Sequence, residues 1–252
     1  MTSAVTHAAN SRLQRGFFIT GTDTEIGKTT CSVLLINTLK QHGYHVAAMK
    51  PVAAGATLHA TGLRNEDAIL LNSSASTPHP YEEVNPYCFA EPIAPHLAAA
   101  KAKQTIDIEN IYRHYQTLSG TADYTIVESV GGWHVPLSRT TTTIALAQRL
   151  NLPVILVVGI RLGCLNHALL TVNAIKQSGL PLAGWIANCI DPQQSCQQEN
   201  IDYLSAVIPS ARLGTIPYKE DIEREGGHRA ESYLNLTPLL ASVPAANTRY
   251  TD

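Results

Sequence analysis

Charge is scarce in this chain. Asp, Glu, Lys and Arg make up 15% of the 252 residues, against roughly 25% in ordinary soluble domains. Apolar residues make up 44%, which suits a well-buried sheet and a subunit interface. Lysine and arginine number 18, aspartate and glutamate 20, for a net charge of −2. The basic footprint of a nucleic-acid binder is therefore missing, and no nucleic-acid partner is expected. No apolar run approaches the roughly 18 residues that a membrane helix needs. The longest, around "PVILVVGI", has a strand's length, so no membrane partner is expected. Five cysteines (Cys31, Cys88, Cys164, Cys189 and Cys196) show no C-x-x-C spacing. They read as reduced thiols of a cytoplasmic protein without a zinc site. The first fifteen residues lack the apolar core of a signal peptide and read as a loose tail.

What is present is an alternation. Apolar, β-branched runs recur as "GFFIT", "HVAAMK", "YTIVE", "PVILVVG", "LAGWIAN" and "RLGTIPY". Helical spacing covers Lys28 to His42, Ile108 to Leu118, Thr142 to Leu150 and Asn166 to Ser178. Strands alternating with helices imply right-handed βαβ crossovers, and continuously apolar strands fit burial on both faces. The expected fold is α/β: one domain over residues 16–240, with a mostly parallel central sheet, helices on both faces and a tail at 241–252. The proline-rich stretch from Thr57 to Lys103 breaks the rhythm. It reads as an insertion over the sheet's edge rather than a second domain.

The most informative stretch is "GTDTEIGKTT", Gly21 to Thr30, between the first strand and the first helix. Unpaired N–H groups at a helix N-terminus favour an anion. Gly21 and Gly27 let the backbone curl, Lys28 adds a charge, and Thr29 offers a hydroxyl to a phosphate-bound Mg²⁺. Five residues separate the glycines, one more than in G-x-x-x-x-G-K-[ST]. The strand before and the helix after nevertheless supply the required context, so the loop is predicted to hold a nucleoside triphosphate in a P-loop NTPase fold.

Other unusual residues share that address, because ligands of open parallel sheets bind beyond the carboxyl ends of the strands. Lys50 ends the second strand, one strand from the loop, where a second cation suits a transferred phosphoryl group; alone it would be a solvated cap. Glu128 closes the third strand and suits Mg²⁺, or else a hydrogen bond to the glycine turn after it. Asp67 either caps a short helix or reaches the same metal. Asp23 and Glu25, inside the loop, would face Mg²⁺ or a cationic substrate. Gly131 and Gly132 offer N–H groups to an anion, with Trp133 walling the site and His134 a half-exposed loop residue. Asn166 reads as a helix N-cap and Cys164 as a small packing residue. Asn188, ending the fifth strand, matches the edge of adenine or is a plain turn residue. Pro217 and Tyr218 end the sixth.

"FITGTDTEIGKT", "MKPVAAG", "GLRNEDA", "VNPYCFAEPIAPHLAA", "GGWHVPLS", "VILVVGIRLGCLNHALLT" and "LAGWIANCI" follow one another from Phe17 to about Pro217. Together they resemble the dethiobiotin synthetase family, including its long phosphate loop. "FAEPIAPH" and "GCLNHALLT" carry the specificity. The resemblance implies ATP and Mg²⁺ as cofactors, with 7,8-diaminopelargonic acid and CO₂ as substrates. A carbamate and then a carbamic–phosphoric anhydride would precede ring closure, with no protein nucleophile. It implies Lys28, Lys50 and Thr24 as catalytic residues, and Thr29, Asp67 and Glu128 as metal ligands. Glu25, Ile26, Gly27, Lys28, Thr29 and Thr30 would bind the nucleotide, with Asn188 reading adenine and Pro217 beside it. Asp23, Lys50, Gly131 and Gly132 would meet the substrate, with Cys164 and Asn166 completing the diamine site across a homodimer interface.

Two departures bear on the substrate. Ser129 and Val130 stand where the family has a glycine and an alanine, adding side chains near the substrate, and Ala54 stands where it commonly has a serine. Two rivals compete. An amidotransferase-like ligase would need a glutaminase domain, for which 252 residues leave no room. A dimeric ATPase switch of the partitioning type would carry a second lysine early in the loop, where Thr22 and Asp23 stand instead.

Overall fold

The computed structural model describes residues 16–218 and 233–240. Strand β1 (Gly16–Gly21) passes through the glycine loop into α1 (Lys28–Gln41), which returns to β2 (Val46–Met49). A long excursion follows: β3 (Val52–Ala54), the hairpin β4 (Thr57–His59) and β5 (Gly62–Arg64), α2 (Glu66–Ser74), α3 (Tyr81–Val84), β6 (Tyr87–Phe89) and α4 (Pro95–Lys101). Helix α5 (Ile108–Ser119) then leads to β7 (Tyr124–Gly132). The regular alternation resumes with α6 (Thr143–Leu150), β8 (Val154–Ile160), α7 (Cys164–Gln177), β9 (Leu182–Cys189), α8 (Gln197–Val207) and β10 (Arg212–Ile216).

The central sheet has six strands in the order β10-β9-β8-β1-β7-β2, every pair parallel. Alternate residues of each strand enter opposite cores. On β1, Phe17 and Ile19 face one side and Phe18 the other; on β8, Ile155 and Val157 oppose Leu156 and Val158. This is why the strands are apolar without a period of two: both faces are covered. Helix α1 closes one face through Leu34, Leu35 and Leu39. Helices α5, α6, α7 and α8 close the other; α5, for example, buries Ile111, Tyr115 and Leu118 at helical spacing.

Three differences from the sequence reading matter for the site. First, β7 lies between β1 and β2, so Lys50 is two strands from the loop rather than one. Second, β7 does not end at Glu128. The strand continues through "SVGG" to Gly132, which pairs with Gly21 across a register shift. Gly131 takes a φ of 62° within that irregularity, a conformation that glycine adopts freely. Third, α8 gave little periodic signal, since Ile201 and Leu204 alone are buried on it.

The Thr57–Lys103 segment lies along the free edge of β2. The Val46 carbonyl accepts from the Ser76 N–H at 2.8 Å, and the Lys50 N–H donates to the Val84 carbonyl at 2.9 Å. The edge is thereby capped by main-chain hydrogen bonds. Among the described residues no helix is long and apolar enough to cross a membrane. The five cysteines form no disulfide. Residues 1–15 and 241–252, expected to be tails, lie outside the described residues.

Phe18 is fully buried at the centre of the sheet and meets Trp133 edge-on at 6.1 Å between ring centroids. Phe18→Ala should lower unfolding free energy by about 3–5 kcal/mol through lost burial and a residual cavity. Urea denaturation checks this; a loss below about 1 kcal/mol would mean that the site collapses around the smaller side chain.

Candidate active site

The site lies beyond the carboxyl ends of β1, β7 and β2. The chain runs from β1 toward β2 on one side and from β7 to β8 on the other, leaving a crevice where the strand order reverses. A cleft of about 890 Å³ opens there. Thr24, Glu25, Gly27, Lys28, Thr29 and Thr30 line it from the loop. Lys50, Asp67, Glu128 and Gly131 line it from the neighbouring strands and α2. Pro92 to Pro95 of the "FAEPIAPH" segment form a further wall.

The loop is held open by glycine. Gly27 precedes α1 with a φ of 78° and no side chain caps the helix, so the first N–H groups of α1 are left for a ligand. A Cβ on Gly27 would come within 2.2 Å of the Asn188 amide nitrogen. That amide donates to the Ile26 carbonyl at 2.7 Å, so Asn188 pins the loop from the end of β9. Lys28 Nζ donates to the Asp23 carbonyl at 2.9 Å. Burial pulls the Lys28 ammonium down to about 8, and the nearby Lys50 charge adds to the effect. Two buried cations here repel each other, which is the preparation for an anion of high charge.

Glu128 is the anchor. It is fully buried, and three donors reach its two oxygens. Thr29 Oγ1 donates to Oε1 at 2.9 Å, Lys50 Nζ to Oε1 at 2.6 Å, and Ser32 Oγ to Oε2 at 2.8 Å. Lys50 Nζ also lies 3.2 Å from Asp67 Oδ2 and 3.4 Å from the Ser129 carbonyl. Burial alone would lower the Lys50 pKa. Glu128, and then Asp67, more than offset it, and the net direction is upward. Lys50 thus stays an ammonium inside the cleft.

Sequence reasoning missed Ser32, one turn beyond the loop on the face of α1 that meets Glu128; a polar residue at a buried helical position was the available signal. It also missed Arg161, which pairs with Asp23 at the mouth of β8. Asp67 is not a cap: Asn65 caps α2, accepting from the Ala68 N–H at 3.3 Å. Asn166 is not a cap either, since α7 starts from Gly163 in a left-handed conformation. Trp133 does not wall the cleft but is buried in the core beside Phe18. His134 is exposed and lines the cleft. Ser129 turns away, its hydroxyl 3.4 Å from Thr20 Oγ1, whereas Val130 and Ala54 do line the cleft.

Several expected residues stand apart from the cleft in this chain. Ile26 is a core side chain whose carbonyl meets Asn188. Gly132 is occupied in the β1 ladder. Pro217 follows β10, at the opposite edge of the sheet from β2. Cys164 is buried under α7, and Asn166 is exposed on that helix.

The donor set suits Mg²⁺. Two carboxylates (Glu128 and Asp67) flank the Lys50 ammonium and one hydroxyl (Thr29) donates to Glu128, all hard oxygen ligands. Among the described residues no three His, Cys, Asp or Glu side chains form a metal cluster. An ion at this place would therefore complete its shell with phosphate and water.

A family described as an AAA domain matches residues 15–226. Among solved structures, the MinD cell division protein of Aquifex aeolicus superposes with a TM-score of 0.56 at 15% identity, covering 92% of this chain and all of that one. A ParA family ATPase from Chlorobium tepidum gives 0.51 at 17% identity, covering 90% and 93%. At such identities these similarities report the fold: an α/β P-loop NTPase. Sequence relatives are far nearer. The ATP-dependent dethiobiotin synthetase of Salmonella typhi is 44% identical over 227 residues, 90% of this chain and 99% of that protein. The synthetase of Pseudomonas paraeruginosa is 46% identical over 224 residues, 88% and 97% respectively. With near-complete coverage of both chains, the sequence belongs to the ATP-dependent dethiobiotin synthetase family.

Proposed function

We propose that this chain uses ATP to join CO₂ to 7,8-diaminopelargonic acid and close the ureido ring of dethiobiotin. The observation that carries the reading is the convergence of Lys28, Lys50, Thr29, Asp67 and Glu128 on one cleft in a member of this family. One amine of the diamine, unprotonated, adds to CO₂ and loses a proton, giving a carbamate. A carbamate oxygen attacks the γ-phosphorus and ADP leaves. The second amine then attacks the carbonyl carbon of the resulting carbamic–phosphoric anhydride, loses a proton and expels phosphate.

The protein's share in these steps is position and charge. The loop N–H groups and Lys28 hold the phosphates. Lys50 offsets the charge gathering on the transferred group and steadies the carbamate. Thr29, Asp67 and Glu128 would hold Mg²⁺, which supplies further neutralisation of the β- and γ-phosphates. Pro92 to Pro95 wall the cleft and would limit the access of water, to which the anhydride is vulnerable. Asn188 has its amide nitrogen on the Ile26 carbonyl, and its Oδ1 is an acceptor suited to the adenine amino group. Pro217 follows β10, whose Ile216 pairs with Asn188 on β9, and the base would extend toward it. Thr24 and Gly131, which line the cleft, and Asp23, whose carboxylate pairs with Arg161, would meet the substrate.

The site is completed by a second copy of the chain. Leu162, just before α7, and Leu170, one turn beyond the exposed Asn166 on that helix, are 92% and 60% exposed. This apolar strip would bury itself against a partner, placing Asn166, with Cys164 beneath it, at the partner's diamine site. The combination of substrates suits a cytoplasmic enzyme.

Three outcomes follow. Lys50→Ala should lower kcat far more than it weakens ATP binding, because the interaction is made mainly in the transition state. Stopped-flow turnover set beside nucleotide titration reads the split, and weak ATP binding with a normal kcat contradicts the assignment.

Glu128→Gln should raise the Mg²⁺ concentration needed for half-maximal rate, since a neutral amide is a poorer ligand for a hard cation. An unchanged Mg²⁺ titration would leave Glu128 a structural anchor only.

The shared site is tested by complementation. Lys28→Ala and Asn166→Trp homodimers, each folded and inactive, are co-refolded. Random assortment makes half the dimers mixed, each with one intact site, so activity should return to roughly a quarter of the parent's. Mixed dimers that stay inactive mean that each site is built within one chain.

A further inference from the structure

The "VNPY" stretch (residues 84–87) takes no part in the chemistry above, yet it lies directly against Lys50. Lys50 is gripped by its backbone. Its N–H donates to the Val84 carbonyl at 2.9 Å, and its carbonyl accepts from Asn85 Nδ2 at 2.5 Å. The same amide nitrogen faces the Tyr87 carbonyl at 3.3 Å. Two carbonyls on the nitrogen side fix the orientation of the buried amide, so Asn85 Oδ1 is left to accept from the Tyr81 hydroxyl, at 2.8 Å. That hydroxyl accepts in turn from the Asn65 N–H at 2.8 Å. Asn65 is the N-cap of α2, and Asp67, in the first turn of that helix, reaches back to Lys50 Nζ at 3.2 Å. The hydrogen bonds therefore close a ring through both charged groups.

We propose that Tyr81 and Asn85 are positioning residues for the reaction: one hydroxyl and one buried amide set the separation of Lys50 and Asp67. The inference rests on the roles given to those two residues under the proposed function. Its physical content is that a buried amide is costly unless fully paired, and the half-buried Tyr81 hydroxyl completes the pairing of Asn85. This hydroxyl–amide relay is paired, and its two ends are the two elements that carry the charges. The Tyr81 ring is itself steadied by the Arg64 guanidinium, 4.1 Å above its centroid. An apolar pair of similar volume would fill the space without fixing either charge.

Tyr81→Phe keeps the ring under Arg64 and removes only the hydroxyl. In this variant kcat should fall about tenfold or more, small misplacements being enough for that, while the KM for ATP stays within about twofold. The Mg²⁺ concentration required for half-maximal binding of a fluorescent ATP analogue should rise about tenfold, as when outer partners of metal ligands are removed. Asn85→Asp, which keeps the acceptor for Tyr81 and loses the donor to the Lys50 carbonyl, should repeat both changes and serves if Tyr81→Phe does not fold. Cys88→Ala removes a thiol 3.5 Å from the same hydroxyl and should leave both readings as in the parent. A folded Tyr81→Phe enzyme with kcat and Mg²⁺ dependence within about twofold of the parent overturns the proposal. So does a Cys88→Ala enzyme equally impaired, because the loss would then follow packing rather than the relay. Nucleotide binding needs no turnover. A parent that forms no dethiobiotin, alongside a Tyr81→Phe variant with the shifted Mg²⁺ dependence, would refute the proposed reaction and leave the relay standing.

Discussion

One carboxylate holds the site together. Glu128 sits in the middle strand of the β1-β7-β2 group with no exposure to water. A buried carboxylate is tolerable only when paired and hydrogen-bonded, and stripping it of its partner costs about 3–5 kcal/mol. Its donors come from separate parts of the chain: Thr29 and Ser32 from the first turns of α1, Lys50 from the end of β2. Satisfying one anion therefore fixes where the first helix begins, where the second strand ends and how far apart the two stand. The cation that completes the pair is Lys50, so under the proposed function one contact serves both structure and chemistry.

The phosphate loop is organised by a complementary economy of side chains. α1 begins without a side-chain cap, and Gly27 and Glu25 both take positive φ values, 78° and 57°. A non-glycine residue in that region costs on the order of 1–2 kcal/mol. The loop is held in this shape from outside, by Asn188 on the Ile26 carbonyl and by Arg161 on Asp23. Strain kept in place by surrounding structure leaves the first N–H groups of α1 without a side-chain cap.

The same scaffold serves unrelated tasks. MinD and ParA family proteins share the fold at 15% and 17% identity, and fold alone does not settle function. In this chain the covered sheet edge serves the cleft. The segment along β2 supplies Asp67, grips Lys50 through Val84 and Asn85, and walls the cleft with Pro92 to Pro95.

The amino-acid order by itself determined the parallel α/β architecture, because strands covered on both faces must be apolar throughout and their connecting helices must show the 3.6-residue spacing. Four helices fall within two residues of where that spacing puts them. It also determined the anion loop, since glycines, lysine and threonine between a strand and a helix have a meaning independent of the rest of the chain. The strand order was not legible: nothing local says that β7 enters between β1 and β2, and this alone brings Glu128 between Thr29 and Lys50. Nor were the roles of Ser32, Asn85 and Tyr81, or the rotation of Ser129 away from the cleft. Each depends on which group lies opposite across 16 to 109 residues of chain, for instance Tyr81 on Asn65 and Ser129 on Thr20. Periodicity reports which face of an element is buried, whereas only packing decides what that face meets.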